Sequence, residues 1–194
     1  MTMRSYHWLR EDMTASSGDE PAWTVGEQRT IEGELVLCSR GYHSSPTLYD
    51  GLEYAQGNVA CLVEIDTVFD SDDTAGRAKQ VSRARKLLAA VNVERELRLW
   101  GCDCAERALL RERERGREPD AHSWEAIAVT RRYADGHATK AELAAAGAAA
   151  WAAARAAGDA ARAAEIAWQR QRFDEVVTAR LLAALSEGAV TVEV

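Results

Sequence analysis

The chain has 194 residues, with 47% hydrophobic and 28% charged side chains and a formal net charge of −7. That composition fits an ordered globular protein and excludes a disordered or low-complexity chain. Residues 1–93 carry 9 basic and 14 acidic side chains and the remainder 15 and 17, so neither part has the cationic excess expected of a nucleic-acid binder.

The opening, Met1 to Met13, is polar and lacks the apolar core of a signal peptide. No stretch reaches the roughly 20 apolar residues of a membrane span; the alanine run comes closest, but Arg155, Asp159, Arg162 and Glu165 interrupt it. These features predict a cytoplasmic chain with no membrane association. Reduced thiols are therefore expected at Cys38, Cys61, Cys102 and Cys104. Cys102 and Cys104 would point roughly 200° apart on a helix, a poor geometry for sharing a metal.

In chain order, residues 4–10 read as a strand and 11–30 as a polar loop with Trp23 as its anchor. Glu34–Cys38 reads as a second strand, stopped at Arg40-Gly41. Ser45-Pro46 opens a short helix that Gly57-Asn58 ends. Residues 59–65, VACLVEI, are nearly continuous in apolar side chains, as in a central, covered strand. Ala78–Val91 shows apolar side chains at three- and four-residue spacing, which predicts a helix.

From Val93 onward the pattern is helical. The run Arg111–Asp120 is a solvated helix end broken by Gly116 and Pro119. Ser123 is a candidate N-cap for a helix reaching Tyr133 or Ala134. Thr139 and Glu142 form a capping box. Residues 141–168 then hold 17 alanines in 28 positions, the strongest helix-forming composition there is. Two antiparallel helices, about 139–157 and 159–185, with a break at Gly158-Asp159, are expected rather than one long rod. A strand-like tail follows from Val190. The fold class predicted is α+β: a small mixed α/β domain over 1–92, then an alanine-rich antiparallel helical bundle over 93–194.

His43 is the first candidate site residue. It follows a strand and a glycine and is flanked by Tyr42, Ser44 and Ser45, where binding groups often gather; the alternative role is a turn-holding histidine bonded to a backbone carbonyl. Glu64, in the VACLVEI strand, would need a partner if buried, and Arg10 or His43 could serve. Arg10, the Tyr42-His43-Ser44 segment and Glu64 together resemble the ADP-ribosyltransferase-like arrangement. That likeness implies catalytic roles for Arg10, His43 and Glu64 and cofactor contacts for Tyr42 and Ser44. The glutamate would stabilise positive charge developing at a ribose carbon. The alternative for Glu64 is an edge-of-sheet salt bridge. Asp70, Asp72 and Asp73 lack the closing glutamate of a calcium loop. His122 and His137 have no metal-ligand companions at useful spacing, so no metal and no resident cofactor is expected. Asp103 and Glu106 share a helical face and are expected to form ion pairs, with acid–base work the alternative.

Two resemblances extend this reading. YHWLR at Tyr6–Arg10, EGELVLCSRGYHSS at Glu32–Ser45, LEYA at Leu52–Ala55 and CLVEID at Cys61–Asp66 resemble a family of uncharacterised phage and bacterial proteins, over roughly residues 1–90. LWGCDCAERALL at Leu99–Leu110 and SWEAIAVTRRYADG at Ser123–Gly136 resemble the helical domain of bacterial immunity-type proteins. The second likeness implies binding of a protein toxin. The function expected is thus a non-enzymatic protein-interaction module with a protein partner. A nucleotide-using transferase centred on the first ninety residues, or a phage accessory protein, is the alternative.

Overall fold

The computed structural model describes residues 2–15, 20–74, 76–154 and 162–187, with side chains omitted for 148–154 and 162–164. The expected break at Gly158-Asp159, the side chain of Trp151 and the tail from Val190 lie outside what is described. The protein is α+β, a mixed α/β N-terminal region followed by a helical cluster. It divides into two compact units. One runs to Glu94 and regains the chain from Thr178; the other spans Arg95–Val177.

In the first unit, β1 (Met3–Leu9), β4 (Val59–Ile65), β7 (Ala84–Asn92) and β2 (Gln28–Thr30) form an antiparallel sheet in the order β1-β4-β7-β2. A second sheet, β3-β6-β5, is built from Tyr42–Ser44, Lys79–Ser82 and Asp70–Asp72. A bridge between Tyr6 and Ser45 ties β3 to the β1 edge. β6 runs into β7 after only Arg83. The sheets therefore curl around a shared interior filled by Leu9, Trp23, Tyr42, Cys61, Val63 and Leu87. A buried polar seam stitches this closure. Ser5 Oγ donates to the Ser45 carbonyl at 2.8 Å, and Gln80 Nε2 donates to Ser5 Oγ at 2.7 Å and Ser44 Oγ at 3.4 Å.

β1 and β4 fall where the sequence pattern places them. Residues 78–91 do not: they are β6 and β7, not a helix. The register explains why the helical spacing misleads. Val63 pairs with Leu87 but Leu62 pairs with Ala89, so Leu88 is an extra residue that shifts the phase of β7. Arg85 and Leu87 before the bulge, and Ala90 after it, then share the face of Ile65, Val63 and Cys61. A strand with one such insertion spaces its inward residues by two and then three. Long apolar pairing with β4 overrides the helix propensity of Ala, Leu, Lys and Arg.

Glu34–Cys38 is likewise not a ladder strand. Val36 and Arg40 bridge across a tight turn with Cys38 at φ 67°. Val36 is 46% exposed, so this segment has no buried face to hold it extended. Pro46 leads into a single helical turn, α1 (Leu48–Gly51), capped by Thr47. The opposite face of the main sheet carries buried Ala60, Leu62, Ala89 and Val91. α6 (Ala179–Ser186) packs on β7 and β4; with the interior already filled, this opposite face is the one it covers, through Leu181 and Ala184.

The second unit contains α2 (Glu94–Glu114, from Arg95), α3 (Ala121–Ala134), α4 (Lys140–Ala154) and α5 (Arg162–Phe173). α3 begins earlier than Ser123 because Asp120 caps it, accepting from the His122 N–H. The Thr139–Glu142 box forms: the Thr139 N–H donates to Glu142 Oε2 at 2.7 Å, and the Glu142 N–H to Thr139 Oγ1 at 3.2 Å. Across α2 and α5, Trp100 meets Phe173 edge-on at 5.3 Å and donates through Nε1 to the Gln169 carbonyl. Asp103 and Glu106 form ion pairs: Arg131 reaches both, at 2.9 and 2.7 Å, and Arg172 reaches Asp103 at 2.8 Å. No helix among the described residues is long and apolar enough to cross a membrane.

Candidate functional site

The first unit holds a cleft of about 490 Å³. β1, β3 and β7 supply its walls through His7, His43 and Arg85. The turn at Cys38–Gly41 and the start of β6 at Lys79 form its rim, and Glu20 closes one side. Gly41, at φ 130°, makes the rim possible: a Cβ there would sit 2.4 Å from Val81 Cγ2, so any side chain would push β3 away from β6.

Arg85 is the electrostatic centre. It is 3% exposed. Its guanidinium lies 4.5 Å from the Trp23 ring and 5.0 Å from the Tyr42 ring. Nη1 donates to the His43 carbonyl at 3.0 Å and Nη2 meets Glu20 Oε2 at 3.4 Å. Burial pulls its pKa down to about 10, and the nearby Glu20 carboxylate opposes that shift. Two aromatic faces and one half-exposed carboxylate thus hold a dehydrated cation. Glu20 also accepts from Trp23 Nε1 at 2.9 Å, which fixes the ring under Arg85.

His43 is engaged on both sides. Its Nε2 accepts the Cys38 N–H at 2.8 Å, and its ring also bonds the Gly41 backbone. It thereby pins the turn whose apex, Cys38, adopts the left-handed conformation. Burial and the charges of Arg85 and Lys79 lower its pKa. His7 is different. Burial, Arg85 and His43 hold it well below the ordinary histidine value, while a hydrogen bond with the His43 backbone works the other way. Its Nε2 is buried and meets no hydrogen-bond partner among the described residues. The backbone bond therefore belongs to Nδ1–H, and Nε2 presents a bare lone pair.

At the rim, the Lys79 ammonium lies 4.6 Å from the Tyr54 ring, and its hydrogen bond with the Cys38 sulfur holds its pKa above the usual lysine value. Cys38 is exposed, whereas Cys61 and Cys102 are buried. Burial pushes the Cys61 thiol up to about 12 and Cys104 up to about 11. Arg40 completes the rim and donates to the Glu32 carbonyl at 2.6 Å.

Of the residues singled out in the sequence, the cleft brings together His43 and Ser44. Tyr42 lies beneath it in the core, edge-on to Trp23 at 5.8 Å. Arg10 lies past the end of β1, donating to the Ala15 carbonyl at 2.9 Å and to Gln56 Oε1 at 3.0 Å. Glu64 alternates with Val63 and Ile65, which face the interior. It therefore points to the other side of β4, where Arg4 and Lys86 are its register neighbours. Sequence reasoning missed His7, Arg85, Lys79 and Glu20. Arg85 was hidden by the helical reading of 78–91. His7, set opposite Tyr6 and Trp8 by strand alternation, reads from the sequence as exposed or capping; the signal that could have found it is that it shares a strand face with the core residue Leu9.

Residues 3–98 match the family described as Domain of unknown function (DUF7666). The match covers the sheets and every wall of the cleft and stops at the start of α2. Comparison with curated proteins and with solved structures finds no match. Among the described residues, no group of three or more His, Cys, Asp or Glu side chains converges as a metal site would.

Proposed function

We propose that the DUF7666 region is a recognition module that takes an anionic group in the cleft and acts by binding. The observation that carries this is charge. Among the described residues, Arg40, Lys79 and Arg85 line the cleft against one carboxylate, Glu20, in a stretch of chain whose overall balance is acidic. A buried guanidinium walled by low-dielectric aromatic rings raises the local potential, so anions concentrate there. The transferase alternative asks for Glu64 within reach of His43; Glu64 takes the face of β4 opposite Cys61 and Val63 and is not among the described lining residues of the cleft, which favours the binding reading.

Cys38 supplies the test. It is the exposed thiol, and it sits at the cleft rim. Alkylation by anionic iodoacetate should be favoured several-fold over neutral iodoacetamide, relative to the same ratio for glutathione at low salt. The preference should fade as salt rises and fall in Lys79→Gln. A ratio indistinguishable from that of glutathione overturns the proposal.

For the helical unit we propose protein docking, in keeping with its resemblance to immunity-type helices. Leu110 and Ile166 are 43% and 42% exposed and adjoin the Arg111–Glu165 pair linking α2 to α5. Exposed apolar side chains beside such a pair suit a protein surface. A partner captured by the full chain should be lost in a Leu110→Asp, Ile166→Asp double variant; equal capture by both proteins rejects this surface.

A further inference from the structure

We propose that the ligand of the cleft is a phosphate monoester on a hydroxylated carbon frame, either a sugar phosphate or a nucleoside monophosphate. This rests on the anion-binding reading above and names its ligand class. Three observations lead to it.

The first is the charge count. Among the described lining residues, three cations face one carboxylate, which leaves two positive charges without a carboxylate partner inside the cleft. A phosphate monoester carries about −1.5 to −2 at neutral pH, whereas a single carboxylate would neutralise only half. Lys79 and Arg40 stand at the rim, and both side chains are suited to phosphate oxygens.

The second is size. At about 30 Å³ for each water-sized group, a bare five-atom phosphate fills roughly a third of the 490 Å³ available. The remainder calls for a body attached to the anion. Its apolar lining includes Ile31 and the Tyr54 ring, fitting a carbon frame.

The third is His7. His7 lines the cleft, and its buried Nε2 meets no hydrogen-bond partner among the described residues. Leaving a buried acceptor unmade costs about 1–3 kcal/mol, so a turn of the ring that brings Nε2 to the cleft surface is rewarded by a ligand donor. The ring is held neutral by its burial and by Arg85, which keeps the lone pair available at neutral pH. A phosphate dianion has only acceptors to offer it. A hydroxyl on the attached frame supplies the donor, and Glu20 can take a second. The wall thus selects hydroxyls, and the rim selects the phosphate.

Isothermal titration calorimetry on the full chain at pH 7.5 tests this with three probes: ribose 5-phosphate, adenosine monophosphate and inorganic phosphate. At least one monoester should bind ten-fold or more tightly than inorganic phosphate. Preference for ribose 5-phosphate or for adenosine monophosphate identifies the frame as a sugar or a nucleoside. His7→Phe should reduce the monoester advantage to within about three-fold while inorganic phosphate binds as before. Where His7→Phe fails to fold by circular dichroism, His7→Leu reads the same loss. Lys79→Gln should weaken all three probes together. Equal affinity for all three, or an advantage that survives loss of the imidazole, overturns the proposal. If no probe binds while Cys38 keeps its preference for iodoacetate, the ligand class falls and the anion reading stands. If that preference is also missing, both fall.

Discussion

The two units are held together by different physics. In the strand unit, Leu9, Val59, Val63, Ile65 and Leu87 are at most 2% exposed, and even its polar groups are buried in the Ser5–Gln80–Ser44 seam. In the helical unit, the buried side chains among those described are few: Cys102, Ile127, Val129, Phe173 and Val177. Its helices are joined instead by charged contacts. Asp103 is shared by Arg131 and Arg172, Arg107 lies over Trp168 at 4.4 Å, and Arg113 lies over Trp124 at 4.8 Å. The contrast shows what each composition permits. β-Branched and leucine side chains on paired strands close a dry interior that can dehydrate Arg85. Alanine-rich helices bury little area per residue, so arginine stems and aromatic rings take over the packing.

The sharpest way to break this comparison is to cut into the dry interior. Leu87→Ala removes a fully enclosed side chain opposite Val63 and should cost about 2–5 kcal/mol. Hydrogen exchange read segment by segment should show the loss in β4 and β7 and leave α2 and α3 protected. A loss spread equally over both units would show that they unfold as one body and remove the basis of the contrast.

Next in size is an acid sensitivity confined to the strand unit. His7 and His43 both have pKa values lowered from 6.5, first by burial. The folded state therefore resists protons that the unfolded chain accepts. Stability from these groups is intact above pH 6.5 and is lost as pH falls below that value toward the lowered folded ones. The slope is at most about 1.4 kcal/mol per pH unit for each histidine. Urea midpoints for the strand segments between pH 8 and 5 should fall accordingly, and His7→Phe should flatten part of that slope. An unchanged slope in the variant would mean that His7 is as easily protonated folded as unfolded.

How much of this was legible in the sequence depends on the periodicity each element carries. β4 announced itself because VACLVEI is apolar on both faces, and both faces are covered, one by the interior and one by α6. β7 was disguised because the extra residue at Leu88 turned a two-residue rhythm into a three-residue step. The cleft was half legible. His43 was singled out by Gly41 and its Tyr and Ser neighbours, a local signal, although the strand expected before it is absent and it is the middle residue of β3. The closing of His7, Arg85, Lys79 and Glu20 onto one cavity depends on strand order, which no local pattern encodes. Glu64 illustrates the converse. Its residue type invites a catalytic role, but the odd–even rhythm of β4 decides which face it takes. The return of the chain from Thr178 to the sheet was also invisible locally, since α6 looks like the end of the alanine-rich helices until its apolar stripe is matched to the outer face of β4 and β7.

The smallest expected effect separates the two kinds of packing most cleanly, because it depends on salt. Asp103→Asn keeps the shape of the side chain and removes the charge that Arg131 and Arg172 share. These groups are partly solvated, with side-chain exposures of 20%, 36% and 38%, so the pair is screened and the cost should be about 1 kcal/mol at low ionic strength. At about 1 M salt, where the screening length drops to roughly 3 Å, most of that cost should vanish. Leu87→Ala should keep its full cost in the same buffer, because an apolar cavity has no counter-ion to screen. Hydrogen exchange of α2, α3 and α5 at the two salt concentrations reads the difference directly. A cost for Asp103→Asn that is independent of salt would mean that the aspartate acts through shape and local hydrogen bonding, and the helical unit would then be held by the same kind of packing as the strands.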